Sequence, residues 1–426
     1  MRRLQDAPTR FLIATIWLRC LLSALHPYTY PPIIGGLSLN AVASVMVTGV
    51  GLMVIDKRLL KLKALGGIYL TVAVALISAV INGRIGVIDS LAKWGFLIVL
   101  TLAAYEAFQR HGSVALLSAL LTVFVPPLAL QLLSVTAGVG KGNELNGELC
   151  FIGGYSHESA FSIIVLTFLY CACFLEQDRP KLTLVCAVAA IGSLLFANYR
   201  TSILAALPIL AGTIFVGAIR RFSRSERPIF VIVFGVVATT LFYVSAIAMQ
   251  QRFHDMYVIL SNSASLLKPP AYYTDSDADL LSGRVILWSR YITAYLNGSI
   301  TNLAFGFGPD AWKGVFPLYA HNTFVSALYE CGLFGLASMA ILFGLSFKRA
   351  FKVTYTRRHV AMCGHIGFLV LNLATMPLWM IEGNVLLALL LAYTLHAQRR
   401  WTMHHANATR GVNHMSGMKL ISYPDM

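Results

Sequence analysis

The chain has 426 residues, of which 57% are hydrophobic and only 12% are charged, and its mean hydropathy is +0.71. A soluble domain carries about 25% charged residues, so this composition excludes an ordinary water-soluble enzyme and indicates a polytopic membrane protein. The net charge of +15 is compatible with nucleic-acid binding, but the distribution of the basic residues along the chain argues against that partner.

Apolar runs predict an all-α protein with about twelve membrane-spanning helices. A run of about 20 apolar residues is long enough to cross a bilayer. The N-terminal run lacks a convincing cleavage site, so we interpret it as a retained first span. The predicted spans are 11–26, 33–55, 64–82, 91–108, 113–137, 157–175, 182–198, 203–219, 229–249, 318–346, 361–377 and 379–397.

The basic residues give the orientation. With the N-terminus in the cytoplasm, the segments on the inner side hold 23 of the 33 Lys and Arg residues. The positive-inside rule therefore predicts cytoplasmic termini, and it explains the charge as a topology signal rather than a nucleic-acid interface. These inner segments are 1–10, 56–63, 109–112, 176–181, 220–228, 347–360 and the tail from 398.

The same topology gives the domain organisation. Spans one to nine occupy 1–249, a large periplasmic loop occupies 250–317, and spans ten to twelve occupy 318–397, followed by a polar, disordered cytoplasmic tail over 398–426. The loop is far longer than ordinary helix connections, and loops of this length are usually functional. Its helical periodicity predicts a small outer subdomain. The cysteines lie mostly in apolar segments without metal-ligand spacing, so no metal site is predicted.

Two arginines lie at the predicted outer boundary of the membrane. Arg200, in "FANYRTS", either extends toward lipid headgroups or binds a phosphate through its planar guanidinium. Arg284 begins a predicted helix, and three aromatic residues share its face: Trp288, Tyr291 and Tyr295. Such a face suits sugar rings, and it equally suits the membrane interface.

The stretch "YAHNTFVSALYECGLFG" places His321 and Asn322 at the mouth of the tenth predicted span. A helix N-terminus disfavours the protonated imidazole, so His321 is predicted to stay neutral, as a general base requires. The alternative is an ordinary hydrogen-bonded histidine at the interface. The spacing of Ala327, Cys331 and Gly335, with Gly332 beside them, predicts close approach of another helix.

A second polar group, "GGYSHESAF", lies at the outer mouth of the sixth span and contains Tyr155, His157 and Glu158. These side chains either contact the acceptor, or supply a base, or are ordinary residues of a span end. Inside the predicted spans, ionisable residues are sparse; Arg19 and Glu106 are exceptions, and both lie near predicted ends.

Together these features resemble the O-antigen ligase and surface-polysaccharide polymerase superfamily. The family pattern of a histidine, a small polar residue, nine residues, Gly, two residues and Gly is met in full from His321 to Gly335. Three other motifs follow the family order: "SGR" at 282–284 with Trp288, "GFGP" at 306–309 and, as a partial match, "YRTS" at 199–202.

The resemblance implies a metal-independent, inverting glycosyltransferase without a cofactor, located in the bacterial inner membrane. The donor would be a glycan on undecaprenyl diphosphate, held by Arg200 and Arg284, and His321 would act as the base. Predicted substrate contacts are Trp288, Tyr291, Asn322, Tyr155, His157 and Glu158. Membrane lipids surround the protein, and nucleic acid is not a partner.

The acceptor stays open. A polymerase transfers to another lipid-linked glycan, whereas a ligase transfers to the lipid A core. The segment "YSHES" departs from the Asn-rich residues found in many ligases near this span, which favours a polymerase. A lipid-linked sugar transporter or flippase also suits twelve spans, but transport paths usually carry ionisable residues near the midplane of the membrane.

Overall fold

The computed structural model describes residues 4–34, 37–142, 149–217, 219, 222–248, 268–274 and 283–416. Regular structure in these residues is almost entirely helical, as the sequence predicts. Two short antiparallel hairpins are the exceptions: β1 (Pro32–Ile34) with β2 (Leu37–Ser38), and β3 (Lys141–Gly142) with β4 (Leu149–Cys150).

Within the described residues the helices follow one another closely, with short 3-10 turns at 57–65, 270–272 and 377–379 and a π-helical turn at Gly212–Val216. In chain order they are α1 (Ala7–Ala24), α2 (His26–Thr29), α3 (Leu39–Val54), α4 (Gly66–Asn82), α5 (Val87–Val123), α6 (Val125–Thr136), α7 (Glu158–Cys173), α8 (Pro180–Ala197), α9 (Arg200–Ala211), α10 (Arg227–Ala248), α11 (Arg284–Leu296), α12 (Ile300–Phe305), α13 (Thr323–Phe351), α14 (Tyr355–Ala374) and α15 (Ile381–Ser416).

Every predicted span contains a helix in the described residues, although the second predicted span begins with the strands β1 and β2 and becomes helical at Leu39. Four helical segments there are long and apolar enough to cross a membrane by length and composition: Lys63–Asn82, Val87–Thr136, Pro180–Ala197 and Thr323–Phe351. Three further apolar helices are shorter, at Leu39–Val54, Glu158–Cys173 and Arg200–Val216. The protein is thus helical with membrane-spanning character, and the number of twelve spans stays a prediction.

Helix α7 lies at the centre of the bundle. All of its residues are buried, which is the pattern of a helix surrounded by protein on every side. It packs against α5, α8 and α15, and the buried stretch 96–108 of α5 belongs to the same core. The helices around this centre expose apolar side chains such as Met53 and Val80, as surfaces facing lipid do.

The bundle has two ends. The loop end contains the described residues of 25–38, 83–86, 137–156, 198–199, 283–322 and 375–380, and contacts join them: Phe151 N donates to Phe196 O (2.9 Å), and Asn82 Nδ2 donates to Gly306 O (3.1 Å). The basic end contains the described residues of 55–65, 109–112, 174–179, 222–226 and 352–354. The assignment of the loop end to the periplasm and of the basic end to the cytoplasm stays a prediction from charge.

Two details differ from the sequence-based expectations. The last helix, α15, continues to Ser416, whereas the sequence predicted a disordered tail from residue 398. The tenth span begins at Thr323 rather than near 318, because Asn322 caps the helix and His321 takes a non-helical backbone conformation. His321 therefore lies outside the span.

Candidate active site at the loop end

His321 occupies a strained position next to the start of α13. Asn322 is the N-cap, and its side-chain oxygen accepts hydrogen bonds from Phe324 N (2.9 Å) and Val325 N (3.2 Å). Its amide group also donates to Leu373 O (2.9 Å). His321 has φ 49°, in the left-handed region, which costs a non-glycine residue on the order of 1 kcal/mol. Asn322 therefore fixes the start of the helix. The left-handed backbone of His321 determines the direction in which its side chain leaves the chain.

The surroundings of His321 keep it neutral. Burial, with a further electrostatic contribution from Arg284 and His157, lowers the pKa of His321 to about 4. Its ring lies 4.0 Å from the ring of Tyr319, between centroids. The sequence attributed the neutral form to the helix dipole, whereas the structure assigns the larger effect to desolvation. Arg284 and His157, which belong to two motifs distant in the sequence, thus both lie close enough to act electrostatically on His321.

The helix that carries Arg284 is docked on the segment that leads to His321. Gly283 precedes Arg284 with φ 77°, a conformation that glycine adopts without strain. From α11, Trp288 Nε1 donates to Ala320 O (2.8 Å), and Tyr291 OH donates to Leu318 O (2.9 Å). The predicted aromatic face of this helix therefore holds Arg284 and His321 in a common unit.

The contact between α11 and the segment before His321 buries two of the three aromatic residues on that face. Tyr291 is 1% exposed and stacks on Phe316 at 4.0 Å between ring centroids, and burial raises the pKa of its phenol. Tyr295 is also buried, and its hydroxyl donates to Leu303 O (2.6 Å). Tyr291 therefore packs the loop and offers no face to a sugar, which corrects its predicted role in substrate binding. Trp288 and Arg284 keep partial exposure.

The "YSHES" residues divide into one partly exposed side chain and two buried ones. His157 caps α7 by accepting from Ser159 N (3.1 Å), and its ring meets the edge of Tyr199 at 6.4 Å between centroids. Tyr155 is 3% exposed and donates to Cys20 O (3.2 Å), and Glu158 is 5% exposed. Among these three, His157 is therefore the residue placed to contact a substrate.

Arg200 begins α9 and is exposed at the loop end, directly after Tyr199. Because the ring of Tyr199 contacts His157, and the charge of His157 acts on His321, these contacts link the position of Arg200 to the surroundings of the imidazole.

The first glycine of the histidine motif, Gly332, lies at a break in α13. Gly332 has φ 66° and ψ −160°, which interrupts the helix. A Cβ atom on Gly332 would lie 2.4 Å from the carbonyl carbon of Ala304, so only glycine fits against the 304–306 segment. The predicted close approach of another helix is found at Gly332: Ala304, its nearest neighbour, belongs to α12, and Gly306 of the "GFGP" loop lies beside it.

Sequence reasoning missed Glu330, which is 3% exposed inside α13. It lines a cleft between α4, the start of α5, α13 and the turn at 377–379, together with Lys93, Trp94 and Trp379. A carboxyl group within an apolar span is rare and is a functional candidate by default, so the signal was present in "YECG".

Residues 185–340 match the family model described as O-antigen ligase. The match covers 156 of the 426 residues, and over that segment the chain is similar to O-antigen ligases. The predicted resemblance is confirmed over a segment that includes Arg200, Arg284 and His321, whereas Tyr155, His157 and Glu158 lie before it. A comparison with curated proteins finds no match. The O-antigen ligase domain supports a membrane-bound ligase or polymerase role, with a lipid-linked glycan and an acceptor as partners in general terms.

Proposed function

We propose that this protein is a glycosyltransferase that moves a glycan from undecaprenyl diphosphate to an acceptor hydroxyl at the outer face of the bacterial inner membrane. The observation that carries the proposal is that α11, which begins with Arg284, is hydrogen-bonded to the segment leading to His321, so that Arg284 and His157 act electrostatically on the imidazole. A neutral imidazole near the guanidinium group of Arg284 suits a reaction that removes a proton from one substrate and develops negative charge on the other.

The reaction forms a bond between the acceptor oxygen and the anomeric carbon, and it breaks the bond from that carbon to the diphosphate oxygen. His321 takes the proton of the acceptor hydroxyl. The electron pair of the broken bond leaves with undecaprenyl diphosphate, and Arg284 and Arg200 stabilise its charge. Attack opposite the leaving group inverts the anomeric configuration, and the two arginines replace a metal ion in this scheme.

The low pKa of His321 gives the donor a second role. An imidazole with a pKa of about 4 is a weak base at neutral pH. A bound diphosphate places negative charge beside Arg284 and offsets the positive field that acts on His321. Donor binding therefore strengthens the base before the acceptor reacts, which limits loss of the acceptor proton to complexes that already contain the donor.

Two acceptors fit this scheme. The family description favours a ligase, with the lipid A core as acceptor. The segment "YSHES", in which His157 is the partly exposed residue, departs from the Asn-rich segment of many ligases and favours a polymerase, with a second lipid-linked glycan as acceptor. Trp288 is the aromatic side chain best placed to contact either glycan, since Tyr291 is enclosed by the loop.

Reconstitution tests the proposal. The purified protein in liposomes is given a synthetic undecaprenyl-diphosphate glycan with either a second lipid-linked glycan or lipid A core as acceptor. We expect chain extension or core modification, release of undecaprenyl diphosphate, and full activity in excess EDTA. Movement of the lipid-linked glycan across the bilayer without transfer would contradict the proposal and identify a flippase. Recovery of lost activity by Mg²⁺ or Mn²⁺ after EDTA would overturn the metal-independent mechanism.

A further inference from the structure

The helix that begins beside His321 is divided into two segments. Gly332 has non-helical angles, so amides beyond it do not continue the helical hydrogen bonds with the carbonyls of the preceding turn. The first segment, 323–331, is about two and a half turns long. A helix this short has little stability of its own and depends on tertiary contacts. The contacts that hold this segment therefore determine where His321 lies.

The loop 306–310 fills the break. Phe307 N donates to Tyr329 O (3.0 Å), and Gly308 N donates to Glu330 O (2.9 Å). An added Cβ on Gly306 would lie 2.3 Å from the carbonyl carbon of Glu330, so the loop and the helix touch through their backbones. The loop thereby supplies donors that a continuous helix would have supplied.

The side chain of Glu330 also joins the first segment of α13 to the loop 306–310. One carboxylate oxygen accepts from Ser326 Oγ (2.9 Å) in the first segment of α13, and the other accepts from Asp310 N (3.3 Å) in the loop. The carbonyl oxygen of Glu330 also accepts from Ser78 Oγ of α4 (2.8 Å). One buried residue thus joins the His321 segment, the loop and a neighbouring helix.

The loop belongs to the same unit as Arg284. Residues 306–310 directly follow α12, and Tyr295 OH of α11 donates to Leu303 O of α12 (2.6 Å). Arg284 is the first residue of α11. The contacts of Glu330 therefore lie on a continuous connection between the proposed base and the proposed diphosphate site.

We infer that Glu330 is a positioning residue whose carboxylate fixes the His321 segment of α13 against the loop unit that carries Arg284. The catalytic consequence rests on the proposed function, whereas the mechanical connection rests on the contacts alone. Loss of the carboxylate loosens the 323–331 segment and moves His321 relative to Arg284 and His157, the two charged groups that act on it, and relative to Tyr319.

The full chain in lipid nanodiscs provides the test, with Glu330→Ala and Glu330→Gln as the variants. Displacement of a catalytic group by about 1 Å costs up to roughly 100-fold in rate, so Glu330→Ala is expected to lower kcat by about that factor. The KM for the donor stays unchanged, because Arg284 is untouched. Glu330→Gln keeps the shape and an oxygen acceptor, so it restores most of the activity. Ser338→Ala is the matched control, a buried α13 residue beyond Gly332.

Two further readouts separate positioning from general destabilisation. In Glu330→Ala, the acid limb of kcat/KM is expected to move from about pH 4 toward 6.5, the ordinary value for histidine, because the displaced imidazole loses part of its burial and moves away from Arg284 and His157. Hydrogen exchange at the backbone amides of Phe307, Gly308 and Asp310 is expected to become faster in Glu330→Ala and to stay slow in Glu330→Gln.

An unmoved acid limb together with unchanged exchange at these three amides would overturn the inference, even if kcat fell. A well-folded Glu330→Gln protein that loses transfer as completely as Glu330→Ala would also overturn it, because the hydrogen-bonding shape is kept. If the wild-type protein shows no transfer, the proposed function fails by itself. Hydrogen exchange then decides the inference alone: faster exchange at these amides in Glu330→Ala supports it, and unchanged exchange refutes it.

Discussion

The two ends of the helix bundle differ in the charges around one side chain: both ends contain ion pairs, such as Lys313 Nζ to Asp310 Oδ2 (2.8 Å) at the loop end, but His321 is surrounded by other basic groups. At the basic end, arginines form salt bridges with carboxylates: Arg110 Nη1 is 3.2 Å from Asp6 Oδ2, and Arg357 Nη2 is 2.9 Å from Asp178 Oδ2. At the loop end, the charges that act on His321 are those of Arg284 and His157, and all three groups are basic. The first arrangement holds helices together, whereas the second concentrates positive potential where an anion would be attracted.

This comparison predicts that substitutions at the loop end change function, and that those at the basic end change only stability.

The break in α13 provides the largest expected effect. Gly332→Leu introduces a side chain where a Cβ already lies 2.4 Å from backbone and where φ is 66°, so we expect a loss of at least about 3 kcal/mol and little folded protein. Gly344→Ala is the matched control on the same helix, where nothing lies within 4 Å. Size-exclusion profiles of the two variants measure the effect, and a well-folded Gly332→Leu protein would show that the helix does not require the break.

The arginines at the loop end provide the next largest effect. Arg284→Lys keeps the charge but loses the planar fork for diphosphate, so we expect transfer to fall by about 100-fold. Arg200→Ala is expected to raise the donor KM by about 10-fold, equivalent to roughly 1.4 kcal/mol of binding energy. Arg290→Lys, an exposed arginine on the same helix as Arg284, should behave as wild type. Equal activities for Arg284→Lys and Arg290→Lys would remove Arg284 from the diphosphate site.

The pH profile sharpens the comparison. Because His321 has a pKa of about 4 in the folded protein, it stays neutral as the pH falls below 6.5, and kcat/KM is expected to decline only near pH 4. Replacement of Arg284 by Gln removes a positive neighbour and should move this acid limb upward. The unfolded chain takes up a proton on His321 near pH 6.5, so the stability due to His321 is present above 6.5 and is lost as the pH falls toward 4. An acid limb near 6.5 in the wild-type protein would contradict the described burial.

The smallest expected effect lies at the basic end. Arg357 bonds Asp178 and also donates to Ser113 Oγ (2.9 Å), and its side chain is partly exposed. Arg357→Ala should therefore cost about 1 kcal/mol of stability without a change in glycan transfer. Thermal unfolding in detergent measures the first quantity, with exposed Arg224→Ala as the control. Loss of transfer by folded Arg357→Ala would show that the two ends are not functionally separate.

The helices could be predicted because each span is a continuous apolar run, and that signal is local. The break at Gly332 could not, because it depends on a loop about 25 residues away that fits only after folding. The face shared by Trp288 and Tyr291 was predictable from helical spacing. Which of the two is buried was not, since this depends on the packing of Phe316 and the carbonyl of Leu318.

The predicted site residues show the same limit. His321, Arg284 and His157 were identified from their residue types at span ends, and the structure brings them into one electrostatic environment. The reason for a neutral His321 was not predictable, because burial depends on the loop unit as a whole. Glu330 was overlooked because the small residues around it suggested packing, although a carboxyl group within an apolar run was itself a signal.

The central claim is that His321 acts as the base while the arginines hold the donor. The most direct measurement compares wild-type protein and His321→Ala in two assays: binding of a synthetic undecaprenyl-diphosphate glycan, and transfer of that glycan to an acceptor. We predict unchanged donor binding and a loss of transfer of about 10²–10⁴-fold in the folded variant, the usual contribution of general acid–base catalysis. Near-normal transfer by well-folded His321→Ala would contradict the claim and leave His157 or Glu158 as the base.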